Sequence, residues 1–295
     1  MKRPPLPAPT LAPGSGVKLV GLGGVGSIVA RYLVLFLRAL EVDSRLVLVD
    51  GDEFEPANAA RMAFAEPGNK AECVRDELLH LVEESRLGLL AVPEYLTPEN
   101  LGRLIEEGDV VLLTVDNHAT RKLVSDHCAT LSDVTLLSGG NDGVGPDSTG
   151  AERSGTFGNV QVYRREGGVD RSPDLGRFHP EIARPADRRP DELDCVSAAQ
   201  STPQLLFANL QTASALLNTL LLHLCGDLGY PELCFDIRAG RMAPSELPAT
   251  GPGPGSAGSA SPVAPAPPSD TAGARAAAVE AVEADAQAGG REAGA

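Results

Sequence analysis

One stretch, Val17 to Asp50 (VKLVGLGGVGSIVARYLVLFLRALEVDSRLVLVD), constrains the fold more than any other part of the chain. Its apolar opening, Val17 to Val20, reads as a buried strand. A turn carrying Gly21, Gly23, Gly24 and Gly26 follows, and then a long apolar-faced helix. A second strand, Arg45 to Val49, ends on Asp50. Strand, glycine turn, helix and acid-tipped strand together make a nucleotide-binding βαβ unit. The glycines let backbone N–H groups approach a phosphate seated on the positive end of the helix dipole. Asp50, about 25 residues beyond them, stands where ribose hydroxyls are met. Alone, the unit leaves NAD, FAD, ATP and S-adenosylmethionine all open.

The rest of the chain continues the alternation. After a polar stretch from Gly51, helical spacing sets in around Cys73, Leu78, Leu79 and Val82, and Leu89 to Val92 reads as a third strand. A helix is expected over Pro98 to Glu107, then an apolar strand, GDVVLLTVDN, ending on Asp116 and Asn117. Helix Ala119 to Ala129 and strand Val134 to Leu137 follow. Strands alternating with helices across short loops predict an α/β protein: a Rossmann-like, mostly parallel sheet with helices on both faces. Ligands then bind at the carboxyl ends of the strands, where Asp50 and Asp116 face one cleft. Beyond Gly143 the pattern weakens. FGNVQVYRR alternates like an antiparallel strand near an edge, and 166–194, rich in Arg, Pro, Asp and Gly, reads as a long surface loop. A helix over Pro203 to Leu224 and a final edge strand, Leu233 to Ile237, complete the domain.

Composition narrows the function. The formal net charge of -15 argues against a nucleic-acid or anionic-membrane surface, since either needs a basic face. Residues 1–16 are proline-rich and lack the apolar core of a secretory signal, so they are expected to form a flexible arm ahead of a domain over 17–242. Residues 243–295, rich in Pro, Ala and Gly, carry too little apolar surface to offset the entropy of ordering. The five cysteines are odd in number and contain no CxxC pair, which excludes a recognisable disulfide framework or zinc site and fits a reducing cytoplasm.

Three further features choose among nucleotides. The first is D-G-D-x-F-E-x-x-N-x-x-R, comprising Asp50, Asp52, Phe54, Glu55, Asn58 and Arg61. The second is Lys70, in a Gly-Asn-Lys turn opening the next helix. The third is D-N-x-x-x-R, comprising Asp116, Asn117 and Arg121 at a strand-to-helix turn. Together they resemble the ThiF/MoeB/ubiquitin-activating-enzyme family of adenylyltransferases, closely over Val17 to Gly145 and loosely to about Ile237.

Attack on the α-phosphate of ATP builds negative charge on phosphate oxygens and on departing pyrophosphate, so electrostatic clamps are what the protein must supply. Arg61 offers a fork of donors and Lys70 a mobile point charge. Asp116 is a hard ligand suited to Mg²⁺, unless it merely caps the following helix. Asn58 can bridge phosphate and metal-bound water, and Asp52 and Glu55 are either site acids or solvated loop acids. The resemblance assigns these same roles and implies a homodimer acting on a small carrier protein with a C-terminal glycine. Arg121 is expected to brace the loop through an ion pair. Cys195, at the start of a helix and after an arginine-rich loop, is the candidate for a thioester-forming nucleophile. Cys73, Cys128 and Cys225 read as core. The chain departs from the family in placing Met62 after Arg61, where many members have Gln, and Arg3 is the candidate for the N-terminal arginine that some members lend to a partner. The rival readings are a non-catalytic nucleotide-binding scaffold and an NAD(P)-dependent oxidoreductase.

Overall fold

The computed structural model describes residues 4–54, 67–146, 152–192 and 204–245. The chain divides into Met1–Pro248 and Ala249–Ala295, and every described residue lies in the first unit. Arg3, Glu55, Asn58, Arg61, Met62, Cys195 and the segment from 246 onward fall outside the described residues.

Parallel strands form one half of the main sheet. β1 (Gly16–Val20) is buried along its whole length and lies between β2 (Ser44–Val49) and β6 (Val110–Leu113), parallel to both. β5 (Leu87–Val92) extends the β2 side and β7 (Val134–Asn141) the β6 side, again in parallel. Strands buried on both faces need near-continuous apolar runs, which is what VKLV, VVLL and VTLL supply. The charge that β1 does carry, Lys18, is paired at 3.4 Å with Asp109, and both side chains are buried.

The connecting helices cover both faces. α1 (Gly26–Ala39) turns Val29, Ala30, Leu33, Val34 and Leu37 inward. It shares a core with α2 (Lys70–Leu78) and α6 (Leu206–Leu224). α4 (His118–Cys128) and the single turn α3 (Leu101–Leu104) close the opposite face. The sheet order runs β5-β2-β1-β6-β7, so the chain builds outward from β1 in one direction and then in the other. The crevice at that reversal, over the carboxyl ends of β1 and β6, is where such sheets hold ligands.

Antiparallel strands form the other half. β10 (Phe157–Glu166) pairs with β7 on one side and with β12 (Glu232–Asp236) on the other. β13 (Arg241–Pro244) lies outside β12, and β11 (Val169–Asp170) folds back on β10. Minor pairs join β3 (Glu53–Phe54) to β4 (Gly68–Asn69), and β8 (Val144–Pro146) to β9 (Glu152–Ser154).

Several expectations change here. β10 is interior rather than near an edge. Its polar residues Asn159 and Gln161 are buried and find partners: Asn159 donates to Glu232 Oε1 at 2.8 Å, and Gln161 donates to the Leu175 carbonyl at 2.8 Å. β12 is not the last strand, because β13 covers it and carries the sheet to Pro244, past residue 242. The helix expected over Pro98 to Glu107 contracts to α3.

The described part of the expected 166–194 loop is a packed strap. It contains β11 and a single turn, α5 (Pro180–Ala183), and it buries Leu175 and Ile182 in the core. His179 anchors it, with Nε2 at 2.5 Å from Glu232 Oε1 and Nδ1 at 2.9 Å from Glu181. Ser245 donates to the other Glu232 oxygen at 2.7 Å. Burial opposes the charge on Glu232, but hydrogen bonds from His179, Ser245 and Asn159 outweigh it and take the carboxyl down to about 2. Burial likewise opposes a charged His179, and its contacts with Glu232 and Glu181 win, so its pKa is raised.

Candidate functional site

The glycine turn between β1 and α1 is the centre of the site. Gly21 adopts φ +87°, a conformation that favours glycine. Its carbonyl accepts the Thr114 hydroxyl at 2.6 Å, which ties the turn to the end of β6. Gly26 serves close packing: a Cβ there would lie 1.8 Å from the Gly21 oxygen and 2.7 Å from Thr114 Oγ1. Gly23 is different, since a Cβ would meet nothing within 4 Å. The turn therefore opens at Gly23, and the amides of Gly23 and Gly24 take no acceptor among the described residues. The 14 residues of α1 begin there with no acidic residue in the first turn and no side-chain cap. Free amides on an uncapped helix start form a seat for an anion.

Asp50 closes one side of the seat. Its Oδ2 accepts the Leu22 amide at 2.5 Å and its Oδ1 the Asp52 amide at 2.8 Å. Burial raises the carboxyl to about 6, against the pull of the Lys70 charge and these two amides. Asp52 points elsewhere. One of its oxygens holds the Lys70 ammonium at 2.7 Å, and the other accepts the Tyr95 hydroxyl at 2.5 Å. Lys70 is itself buried at the start of α2. Asn69 caps that helix, accepting from the Ala71 and Glu72 amides at 2.8 and 3.2 Å, while its own amide group donates to the Asp50 and Asp52 carbonyls. The strand end and the helix start are thus one unit, and Lys70 is held rather than free to swing.

Asp116 lies on the other side of the seat, just past β6. It is exposed and takes no hydrogen bond among the described residues. Capping of α4 falls to its neighbours: Asn117 accepts the Thr120 amide at 2.7 Å, and Asp187, from the strap, accepts the His118 and Ala119 amides at 2.7 and 3.0 Å. Asp116 is left unspent. Arg121 does brace the loop, but not through an ion pair with any described residue. Its buried guanidinium donates to the Val115 and Gly139 carbonyls and to the Ser138 hydroxyl, over 2.9–3.2 Å. Burial lowers its pKa against the raising effect of the nearby Asp116 charge. Gly140 makes room for it, since a Cβ there would lie 2.3 Å from Arg121 Nη2.

The structure thus gathers Gly21, Gly23, Gly24, Gly26, Asp50, Asp52 and Lys70 around the carboxyl end of β1, with Asp116 across the turn. Sequence reasoning missed Tyr95, which follows β5 at the same end of the sheet and so carried a positional signal. It also missed Asp187, whose contact is distant in sequence and had none. Among the four described cysteines, Cys128 and Cys225 are buried as expected, whereas Cys73 and Cys234 are only partly so. Burial pushes the Cys128 thiol up to about 12, which removes it as a nucleophile at neutral pH.

The ThiF family model matches residues 14–209. The chain belongs to the ThiF family. Over 121 residues it is 36% identical to the adenylyltransferase and sulfurtransferase MOCS3 of Drosophila virilis, covering 40% of this chain and 25% of that protein. Over 117 residues it is 33% identical to the adenylyltransferase and sulfurtransferase uba4 of Aspergillus clavatus, covering 39% of this chain and 23% of that one. The aligned part therefore spans about a quarter of these relatives. Among solved structures, E. coli MccB crystallised with ATP superposes with a TM-score of 0.53 at 13% identity, covering 78% of this chain and 62% of the other. PaaA superposes at 0.53 with 17% identity, covering 79% and 72%. These likenesses are of fold.

Proposed function

We propose that this chain is an ATP-dependent adenylyltransferase that activates a carboxylate, that of the C-terminal glycine of a small ubiquitin-like or sulfur-carrier-like protein. One arrangement carries the reading: an open glycine turn whose Gly23 and Gly24 amides take no acceptor among the described residues, flanked by Asp50 and a fixed Lys70 on one side and, on the other, by Asp116, which takes no hydrogen bond from any described residue. MOCS3 and uba4, named adenylyltransferases, are the relatives that point the same way.

The site chemistry follows from the residues. Asp50 accepts ribose hydroxyls, and the turn amides receive phosphate. Lys70, positioned by Asp52, offsets charge on the β- and γ-phosphates, and Arg61 and Asn58, outside the described residues, are assigned to the same task by the family resemblance. An exposed carboxylate with no hydrogen bond to any described residue fits Mg²⁺, which keeps several waters and binds through one or two carboxylates plus phosphate oxygens. Bound at Asp116, the ion would neutralise phosphate charge. The substrate carboxylate oxygen bonds to the α-phosphorus as the bond to the bridging oxygen breaks. The electron pair leaves with pyrophosphate, and an acyl adenylate remains. An NAD(P) oxidoreductase would leave Lys70 and Asp116 without a task.

Incubation with ATP, labelled pyrophosphate and candidate carriers tests the assignment. Carrier-dependent exchange is expected, falling about 10³-fold in Asp116→Ala. Tight ATP binding with no exchange for any carrier would replace the enzyme with a nucleotide-binding scaffold.

We also propose a homodimer. A groove of about 200 Å³ between α1 and α6, lined by Tyr32, Phe36, Leu217, Asn218 and Leu221, supports it, as does the exposure of Tyr32 on its rim. Sedimentation should give a dimer that Phe36→Arg dissociates; a monomeric wild type would refute it. No helix among the described residues is long and apolar enough to cross a membrane.

A further inference from the structure

Asn209, on the first turns of α6, is fully buried, yet neither its amide nitrogen nor its carbonyl oxygen has a hydrogen-bond partner among the described residues. A buried carboxamide left unpaired at both ends is costly, and native structures seldom keep one without a use. Its position is informative. A Cβ built on Gly24 would lie 2.3 Å from Asn209 Nδ2 and 3.6 Å from Gln204 Oε1. Gly24 does not have the positive φ that explains Gly21, so its lack of a side chain serves this close approach. The start of α6 shares a further property with the start of α1. Its 19 residues begin with no acidic residue in the first turn and no side-chain cap. Two helix starts, each with a positive dipole end, therefore converge on Gly24 beside the free amides of the turn.

We propose that Asn209 is a phosphate-recognition residue, whose Nδ2 donates to the phosphate chain of a nucleoside triphosphate seated on the glycine turn. The inference rests on the ATP-dependent reading above for the identity of the nucleotide, but not for the presence of a phosphate. Without ligand the amide is a standing cost to the fold, and a phosphate oxygen removes that cost.

Calorimetric binding of ATP, adenosine and inorganic tripolyphosphate to the full chain, together with thermal melting, tests it. Asn209→Leu is of similar size and removes the buried polar atoms. It is expected to keep or raise the melting temperature, to weaken ATP and tripolyphosphate about tenfold, and to leave adenosine unchanged. Asn209→Ala should show the same selective loss even where its cavity lowers the melting temperature, and Asn209→Asp should weaken ATP further by charge repulsion. Unchanged ATP affinity in both neutral variants would overturn the proposal. So would parallel losses for ATP and adenosine, which mark a packing role alone. Wild-type binding of tripolyphosphate without adenosine or ATP would refute the adenylyltransferase reading while leaving Asn209 in place; binding of none of the three would refute both.

Discussion

Two polar clusters, one in each half of the sheet, are built in opposite ways. In the antiparallel half the Glu232 cluster is closed: Glu232 takes hydrogen bonds from three side chains and is driven down to about 2, although Gln161 Oε1 on β10 keeps no partner among the described residues. Around the glycine turn of the parallel half, spare capacity remains. Asp50 accepts two backbone amides yet is held up at about 6, the exposed Asp116 takes no hydrogen bond from any described residue, and the buried Asn209 side chain has no partner among the described residues. A titratable group with a strongly shifted pKa marks a site only when something is missing around it. By that measure His179 and Glu232 fasten the fold, and the groups around the glycine turn are the ones proposed to meet a ligand.

The largest effect that can break this contrast is on stability. Glu232→Ala leaves His179 and Asn159 without their buried acceptor and should cost about 3 kcal/mol in urea unfolding. The remaining folded protein should bind ATP as before; a specific loss of binding would move the pair into the site. The pH dependence of the pair follows from the two shifts. Glu232, lowered from 4.5, contributes fully above that pH and loses its contribution as pH falls toward 2. His179, raised from 6.5, contributes fully below that value and loses its contribution as pH rises through its higher folded pKa. The pair should therefore support the fold best between pH 4.5 and 6.5.

A smaller effect concerns Asp50. A carboxyl raised to about 6 takes up a proton more readily in the folded protein than in the unfolded chain, so its contribution to stability falls as pH rises from 3.8 through 6. Ribose hydroxyls donate to the ionised form. Adenosine affinity should climb by up to about tenfold per pH unit below 6 and level off above it. A flat profile would detach Asp50 from the ribose. The smallest expected effect is on the stability of Asp116→Ala, which should stay within about 0.5 kcal/mol of wild type because the side chain is exposed and holds nothing. A larger loss would make Asp116 a structural residue.

Legibility in the sequence follows the same divide. In the parallel half, apolar runs end on glycines or acids, and local chemistry suffices to place β1, β2, β6 and the glycine turn. Asn117 and Asn69 turn out to cap their helices, a role the sequence offered to Asp116 rather than to Asn117. β10 misleads because Asn159 and Gln161 alternate with valines as solvent-facing residues would, while their partners, Glu232 and the Leu175 carbonyl, lie far along the chain or in a stretch without periodicity. His179 is likewise anonymous until the fold brings it to Glu232. Asn209 sits in an apolar helix, where only the three-dimensional approach to Gly24 gives it meaning.

The closure of α4 has one more consequence. Because an amide side chain and an aspartate from a distant strap share the work of ending that helix, the acid immediately upstream carries no structural duty.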